Sequence, residues 1–497
     1  MYECVKDTLV TRDFRRRINL ILAIFPLLMA LAMVLTPVCV YAEPDQEAED
    51  LEAQRVARMS LPIQSDDYEE WPAGPHIGAE AAIVMDAGTG TILYEKNINE
   101  HLYPASVTKM LTALIAVENC DMDEMVTFSA DAINSIDWRT DANLGISAGN
   151  SITMEQCLYG LLVGSANEVA YAIAEHVSGE GNIAGFAELM NKRAEELGCT
   201  DSHFVTPNGI HDPNHYTSAY DLALIAKAFY SHDNLSTMAS TSKYHIPKSD
   251  TQPRDDMTVY AKSKLHEGKE YALEGLVGTK TGYTTEARQT LVTCAERNGL
   301  KLITVVMKEE APYQYTDTHE LMNYGFDNFT MVNLSENDNT YSIKNPIFYT
   351  TSSPFGKSET LIEMDKDAYI LIPVNASFED TESEIVFDNL GEDEFAKVEY
   401  TLHGTYVGSA CIVPTKTASR MFDFYPQTRY RSDYGDESDD IVIELGRILI
   451  IVLGITVILW VIITIHYRIK TKMILKYGRG GRKTVRKSKN LTLKGMK

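Results

Sequence analysis

The chain has 497 residues, 44% hydrophobic and 23% charged, with 45 Lys+Arg against 70 Asp+Glu for a formal net charge of −25. That length exceeds one ordinary domain, and the composition excludes wholesale disorder. The charge is uneven: the residues before Glu43 and those from Ile443 onward are net basic, leaving a middle so acidic that it repels nucleic acid and anionic lipid.

Residues 1–42 read as a signal peptide. The Arg15-Arg16-Arg17 cluster precedes an apolar run, Ile18 to Val40, which ends before the small residue Ala42. An uncleaved anchor is the other reading, since the run is long enough to span a bilayer; both export the residues after Ala42. Residues 43–76 are acidic and lack apolar periodicity, so a flexible stalk is expected.

Residues 77–330 form the first candidate domain. Ala81 to Asp86 and Thr91 to Tyr94 are β-type runs joined by Ala87-Gly88-Thr89-Gly90. Helical spacing then governs Lys109–Val117, Met154–Val163, Val169–Val177 and Gly185–Leu197. Strand pattern returns at Gln289–Cys294 and Lys301–Met307 around Arg297-Asn298-Gly299, where Asn-Gly favours a tight turn. A helix at Thr318–Tyr324 closes the set. Strands at both ends with helices between predict an α+β domain, one antiparallel sheet covered by helices.

Residues 331–430 carry short β-type runs, among them Tyr369–Ile372, Ile385–Phe387 and Ala410–Val413, and predict a small all-β domain. Residues 431–446 form an acidic juxtamembrane spacer. Residues 447–467 predict a transmembrane helix, because Ile448 to Ile465 is 18 residues without charge. The basic tail, 468–497, puts that end in the cytoplasm and the first candidate domain on the extracytoplasmic side of the cell membrane. Cys120, Cys157, Cys199, Cys294 and Cys411 are scattered and odd in number, which predicts neither a disulfide framework nor a metal site.

Three short motifs carry chemistry: Ser106-Val107-Thr108-Lys109, Ser165-Ala166-Asn167 and Lys280-Thr281-Gly282. Such strings arise cheaply, as Ser240 to Lys243 and Ser335 to Asn337 show; their setting distinguishes the first set. Ser106 and Lys109 open a helical run after Pro104-Ala105, and spacing of three puts both on one face. A serine hydroxyl attacks only after losing its proton to a base, and Lys109 serves only if burial or a neighbouring cation such as Lys280 keeps it neutral. A capping serine and a solvated lysine are the bland alternative. Ser165 and Asn167 lie at a helix junction, where a simple cap is the competing reading. Gly282 lets a substrate backbone pass, Thr281 offers a hydroxyl and Lys280 a charge; an exposed turn competes there.

The trio, together with Pro104 to Leu114, Ser165 to Ala170, His203-Phe204, Pro207-Asn208-Gly209, His215 to Asp221 and Gly278 to Thr284, resembles the low-molecular-weight penicillin-binding proteins of the serine D-alanyl-D-alanine carboxypeptidase family. The resemblance covers Gly78 to Phe326 well and the β domain loosely. It implies a serine β-lactamase/penicillin-binding-protein-like catalytic domain acting on peptidoglycan stem pentapeptides through an acyl-enzyme on Ser106, inhibited covalently by β-lactams and needing no cofactor or metal. It further implies Lys109 as base, Ser165 as proton relay to the leaving amine, and Asn167 as holder of Lys109 and the substrate amide. The backbone N–H groups of Ser106 and Tyr283 would form the oxyanion hole, and Lys280 and Thr281 would hold the terminal carboxylate.

Two departures stand out. Family members carry glycine where this chain has Arg288, and an arginine near Gln314 that binds the substrate carboxylate; Arg288 is therefore the candidate to supply that charge. A D,D-endopeptidase, a β-lactamase using Glu175 or Glu180, and a catalytically idle wall-binding protein are the alternatives.

Overall fold

The computed structural model describes residues 46–139, 142–179, 181–338, 362–387, 390–391 and 394–414. The expected signal peptide, juxtamembrane spacer, transmembrane helix and basic tail lie outside them. Among the described residues no helix is long and apolar enough to cross a membrane. The chain divides into residues 1–53, of which only the opening turns of helix α1 (Gln46–Arg58) are described, and residues 54–497, which hold every sheet and the candidate site.

Five antiparallel strands form the central sheet in the order β2-β1-β9-β8-β7: β1 (Ala81–Asp86), β2 (Ile92–Lys96), β7 (Leu276–Thr284), β8 (Arg288–Arg297) and β9 (Leu300–Glu309). Both faces are covered, and the period-two alternation sorts them. Ala81, Ile83 and Met85 face one apolar core with Ile303 and Val305; Ala82 and Val84 face another with Leu302 and Val306. The Asn-Gly step behaves as expected. Asn298 and Gly299 both have positive φ, 53° and 86°, and β8 turns directly into β9.

The first core is built by helices inserted between β2 and β7: α2 (Lys109–Val117), α3 (Ala130–Asn134), α4 (Met154–Tyr159), α5 (Asn167–Ser178), α6 (Ile183–Glu196), α7 (Ala219–Tyr230) and α8 (Asp233–Ser240). Two small two-stranded sheets, β3–β4 (Met125–Thr127, Ser151–Thr153) and β5–β6 (Lys243–Ile246, Met257–Tyr260), were not expected; strands of three or four residues are too short for a periodicity to register. Helix α9 (Tyr313–Asn328) covers the second face and extends well beyond the expected Thr318–Tyr324.

A second, all-antiparallel sheet lies beyond α9: β10 (Phe329–Asn333), β11 (Ile362–Met364), β12 (Tyr369–Pro373), β13 (Thr381–Val386), β14 (Ala396–Leu402) and β15 (Thr405–Pro414), in the order β10-β12-β15-β14-β13 with β11 on β15. It abuts the first domain. Tyr369 donates from its hydroxyl to Asp86 at 2.9 Å, and the rings of Trp71 and Phe329 lie 5.1 Å apart.

The expectation of a flexible stalk over 43–76 is corrected for its second half. Ile63 and Trp71 are buried, the Trp71 indole donates to the Leu93 carbonyl at 2.8 Å, and Arg58 donates to the Gly78 carbonyl at 2.8 Å. Arg55 reaches Glu309 at 3.3 Å and Arg58 reaches Glu310 at 3.4 Å. The segment is held by arginine–carboxyl contacts and single aromatic anchors rather than by an apolar stripe, which is why its composition reads as solvated.

Candidate active site

Ser106 sits in a single 3₁₀ turn, Ala105–Thr108, that runs straight into α2. The turn is forced. Ala105 has φ +48°, unusual for a residue with a Cβ, and its carbonyl lies so close to Gly209 that a methyl there would stand 1.8 Å from it. Gly209 itself has φ +75°, so both proximity and conformation demand glycine. Two further bonds fix the turn from the same side. Thr112 donates to the Pro207 carbonyl at 2.9 Å, and Thr108 lies 2.6 Å from His215 Nε2. The Val205 N–H donates to His215 Nδ1 at 2.9 Å, so the proton is on Nε2, which donates to Thr108. Burial pushes the His215 pKa down to about 3, which keeps that neutral tautomer across the physiological range.

Lys109 follows Ser106 by one turn and is 0% exposed. Its ammonium or amine nitrogen donates to Asn167 Oδ1 at 3.1 Å, which joins the first motif to the second. Asn167 is the first residue of α5, and its N–H donates to the Ala142 carbonyl at 2.9 Å. Ser165 precedes it in the left-handed region, φ +69° and ψ 38°, at the end of a π-turn, Gly160–Gly164. A serine held there is strained, and such strain persists where the surroundings over-determine it.

The third motif lies inside β7, so the competing reading of an exposed turn does not hold. Gly282 meets the nucleophile turn so closely that a Cβ would stand 2.8 Å from Ser106 N and 2.9 Å from the Pro104 carbonyl. The early N–H groups of a helical turn lack intrahelical partners, so Ser106 N faces β7 as a ready donor. Tyr283 follows Gly282, opposite Gln289 in β8. Lys280 is buried, donates to the Thr281 carbonyl at 2.6 Å, and burial drives its pKa well below the ordinary lysine value.

Four buried polar atoms of these motifs, Ser106 Oγ, Ser165 Oγ, Asn167 Nδ2 and Thr281 Oγ1, find no hydrogen-bond partner among the described residues. Unsatisfied buried groups are costly in a folded protein and therefore rare. Several from three motifs joined by direct contact mark a surface built to meet polar groups of a ligand.

Arg288 lies at the β7–β8 turn with φ +53°, opposite Thr284. Its guanidinium grips both Glu310 carboxylate oxygens, Nε at 3.2 and 3.0 Å, and Arg58 shares the same carboxylate. Gln314 is buried, and its amide nitrogen donates to the Pro312 carbonyl at 3.2 Å and the Glu310 carbonyl at 3.3 Å. Glu175 accepts from Ser129 at 2.6 Å and from the Gly181 N–H at 3.1 Å, the duties of a structural cap; Glu180 lies outside the described residues. Sequence reasoning assigned no role to Gly209, His215 or Glu310. The strings containing the first two were legible, but not what they touch.

Residues 69–311 match the family model described as D-alanyl-D-alanine carboxypeptidase. Among curated proteins, the chain is 30% identical over 260 residues to the D-alanyl-D-alanine carboxypeptidase of Streptomyces sp. strain K15, covering 51% of this chain and 88% of that protein. It is 31% identical over 239 residues to D-alanyl-D-alanine carboxypeptidase DacF of Bacillus subtilis, covering 47% of this chain and 58% of the relative's length. Among solved structures, penicillin binding protein 5 from Haemophilus influenzae aligns over 69% of this chain and 98% of its own with a TM-score of 0.54 at 25% identity.

Proposed function

This chain belongs to the serine D-alanyl-D-alanine carboxypeptidase family, and from that premise we propose that it removes the terminal D-alanine from peptidoglycan stem pentapeptides. The observation that carries the reading is Lys109, fully buried one turn after Ser106 and bonded to Asn167, with the backbone of Gly282 against Ser106 N. Burial favours the neutral amine that a general base requires.

The steps follow from these positions. Lys109 takes the Ser106 proton as Oγ adds to the carbonyl between the two D-alanines. The Ser106 and Tyr283 N–H groups receive the developing oxyanion. Ser165 passes the proton to the leaving amine, the C–N bond breaks, and D-alanine departs from an ester on Ser106. Water then adds by the same route and frees the shortened peptide. Lys280 and Thr281 hold the substrate's terminal carboxylate, and Arg288 adds charge to that pocket by exchanging Glu310 for the substrate. A β-lactam enters as a mimic of the dipeptide and stalls at the ester. Residues 1–42 export the chain and residues 447–467 anchor it, with the basic tail in the cytoplasm.

The test has two parts. Covalent labelling by a fluorescent penicillin should vanish in Ser106→Ala; labelling that survives refutes the nucleophile. Mass spectrometry of pentapeptide muropeptides should then show loss of one alanine; cleavage of cross-linked dimers instead would make the enzyme an endopeptidase.

A further inference from the structure

Helix α2 carries Lys109 at its first position and ends at Val117; α5 begins with Asn167 and ends at Ser178. Past the end of the first comes Cys120, in the last turn of the second stands His176, and Glu124 closes the loop before β3. One ligand atom from each, Cys120 Sγ, a Glu124 carboxylate oxygen and a His176 ring nitrogen, lies within 4.8 Å of the other two. We propose that these three side chains form a binding site for a borderline transition-metal dication, zinc(II) foremost.

The donor chemistry is selective. Thiolate, imidazole and carboxylate together suit zinc and its neighbours, whereas calcium and magnesium take oxygen ligands. Metal–ligand bonds of about 2.0–2.3 Å place tetrahedral donors roughly 3.3–3.7 Å apart, within the observed spread. Glu124 Oε2 and His176 Nε2 already face each other at 2.9 Å and need part by only a few tenths of an ångström.

The supporting shell is also in place. The Asp121 N–H donates to Glu124 Oε1 at 2.7 Å, which orients the carboxylate and leaves Oε2 for an ion. The loop is pinned to the start of α4, by Met154 N–H to the Glu124 carbonyl at 2.8 Å and Glu155 N–H to the Met122 carbonyl at 2.9 Å. The Cys120 N–H donates to the Ala116 carbonyl at 3.1 Å, continuing α2. Each donor therefore stands on a hydrogen-bonded backbone. Motif reading had no access to the site, because the thiol and the imidazole lie far apart in sequence and no CxxC marks them.

Three protein donors leave a fourth position for water. Binding exchanges the Cys120 thiol proton for the metal, and that proton goes to solvent. The ion takes no part in acyl transfer. It clamps the far ends of the two helices whose first residues make the Lys109–Asn167 bond.

The test uses the full chain in detergent micelles, reduced, stripped with chelator and titrated anaerobically with cobalt(II). One equivalent should produce a near-ultraviolet thiolate-to-cobalt charge-transfer band and the visible bands of four-coordinate cobalt, both displaced by zinc. Cys120→Ser should abolish the charge-transfer band, and Glu124→Gln and His176→Ala should weaken binding by at least about tenfold. Zinc should raise the melting temperature of the wild type and not of Cys120→Ser. Penicillin labelling of Ser106, which none of these side chains touches, verifies that each variant is folded. A wild type without a saturable charge-transfer band, or a band retained at equal affinity in Cys120→Ser, overturns the proposal.

Discussion

Adding one methyl at Gly282 tests whether strand β7 and the nucleophile turn form a single catalytic surface. A Cβ there would stand 2.8 Å from Ser106 N, 2.9 Å from the Pro104 carbonyl oxygen and 3.2 Å from Ala105 Cβ. The first two are backbone atoms and cannot swing aside. Ordinary contact begins at 3.4 Å, so the strand must retreat from the turn by about 0.6 Å. Overpacking of this kind costs about 1–3 kcal/mol, which a domain stable by about 5–15 kcal/mol survives. Catalysis is less tolerant, because a catalytic constellation must be held to within about 0.5 Å. If Ser106 N and Tyr283 N form the oxyanion hole, the retreat removes one donor from reach, and losing such a donor slows reaction by about 10²–10³-fold. Gly282→Ala should therefore melt cooperatively, close to the wild type, while its second-order rate of acylation by a fluorescent penicillin, followed by stopped flow, falls about 100-fold. A well-folded Gly282→Ala acylated within a few-fold of the wild-type rate refutes the shared surface.

Burial lowers the Lys280 pKa, and only its protonated form attracts a carboxylate. kcat/KM for a D-Ala-D-Ala peptide should fall as pH rises through that lowered value, well before an ordinary lysine titrates, and a C-terminal carboxamide analogue should lack this limb; identical profiles dismiss the role. Arg288→Ala should raise KM for the peptide and also slow acylation by penicillin, whose own carboxylate takes the same place, if Arg288 exchanges Glu310 for substrate, and unchanged turnover removes it from the site. Burial first, and the neighbouring Asp317 second, push the Glu309 pKa up to about 9 from 4.5. The native state then binds a proton that the unfolded chain has released, so stability falls as pH rises from about 4.5 to about 9. Denaturant titrations should show that slope, and Glu309→Gln should flatten it; an unchanged slope in the variant shows that Glu309 is not its source.

The parts of the site legible in the sequence are those where chemistry fixes residue types at short spacing. Ser106 and Lys109 must share a helical face, and three residues is one turn. The Asn298-Gly299 turn was legible for the same reason: two positive φ angles leave few residues to choose from. What could not be read is what distant chain brings. Thr108 and His215 are 107 residues apart, and Arg58 and Glu310 are 252 apart, so neither pairing leaves a local trace. Strand β7 was obscured because Gly278, Gly282 and three threonines displace the apolar alternation, and the glycines answer to contacts made elsewhere: Gly278 with Tyr230 and Ala239, Gly282 with the Ser106 turn. Function here overwrites the pattern by which a strand is recognised.

Lys109 and Lys280 are both enclosed, yet the fold asks opposite states of them. A buried amine is driven neutral unless an anion accompanies it. Lys109 donates to the Asn167 amide oxygen and can serve as base only when it holds no extra proton. Lys280 donates to a peptide carbonyl, and no ion pair to it exists among the described residues, although the middle of the chain is crowded with carboxylates. A carboxylate lodged permanently beside Lys280 would occupy the place that the peptide terminus needs. Leaving it out lets Lys280 rest with a weakened hold on its proton and recover it when a substrate brings the missing anion. The recovered charge then lies in the same enclosed site as Lys109 and opposes a second ammonium there. Recognition of the terminal carboxylate and neutrality of the general base are, on this geometry, two sides of one proton balance.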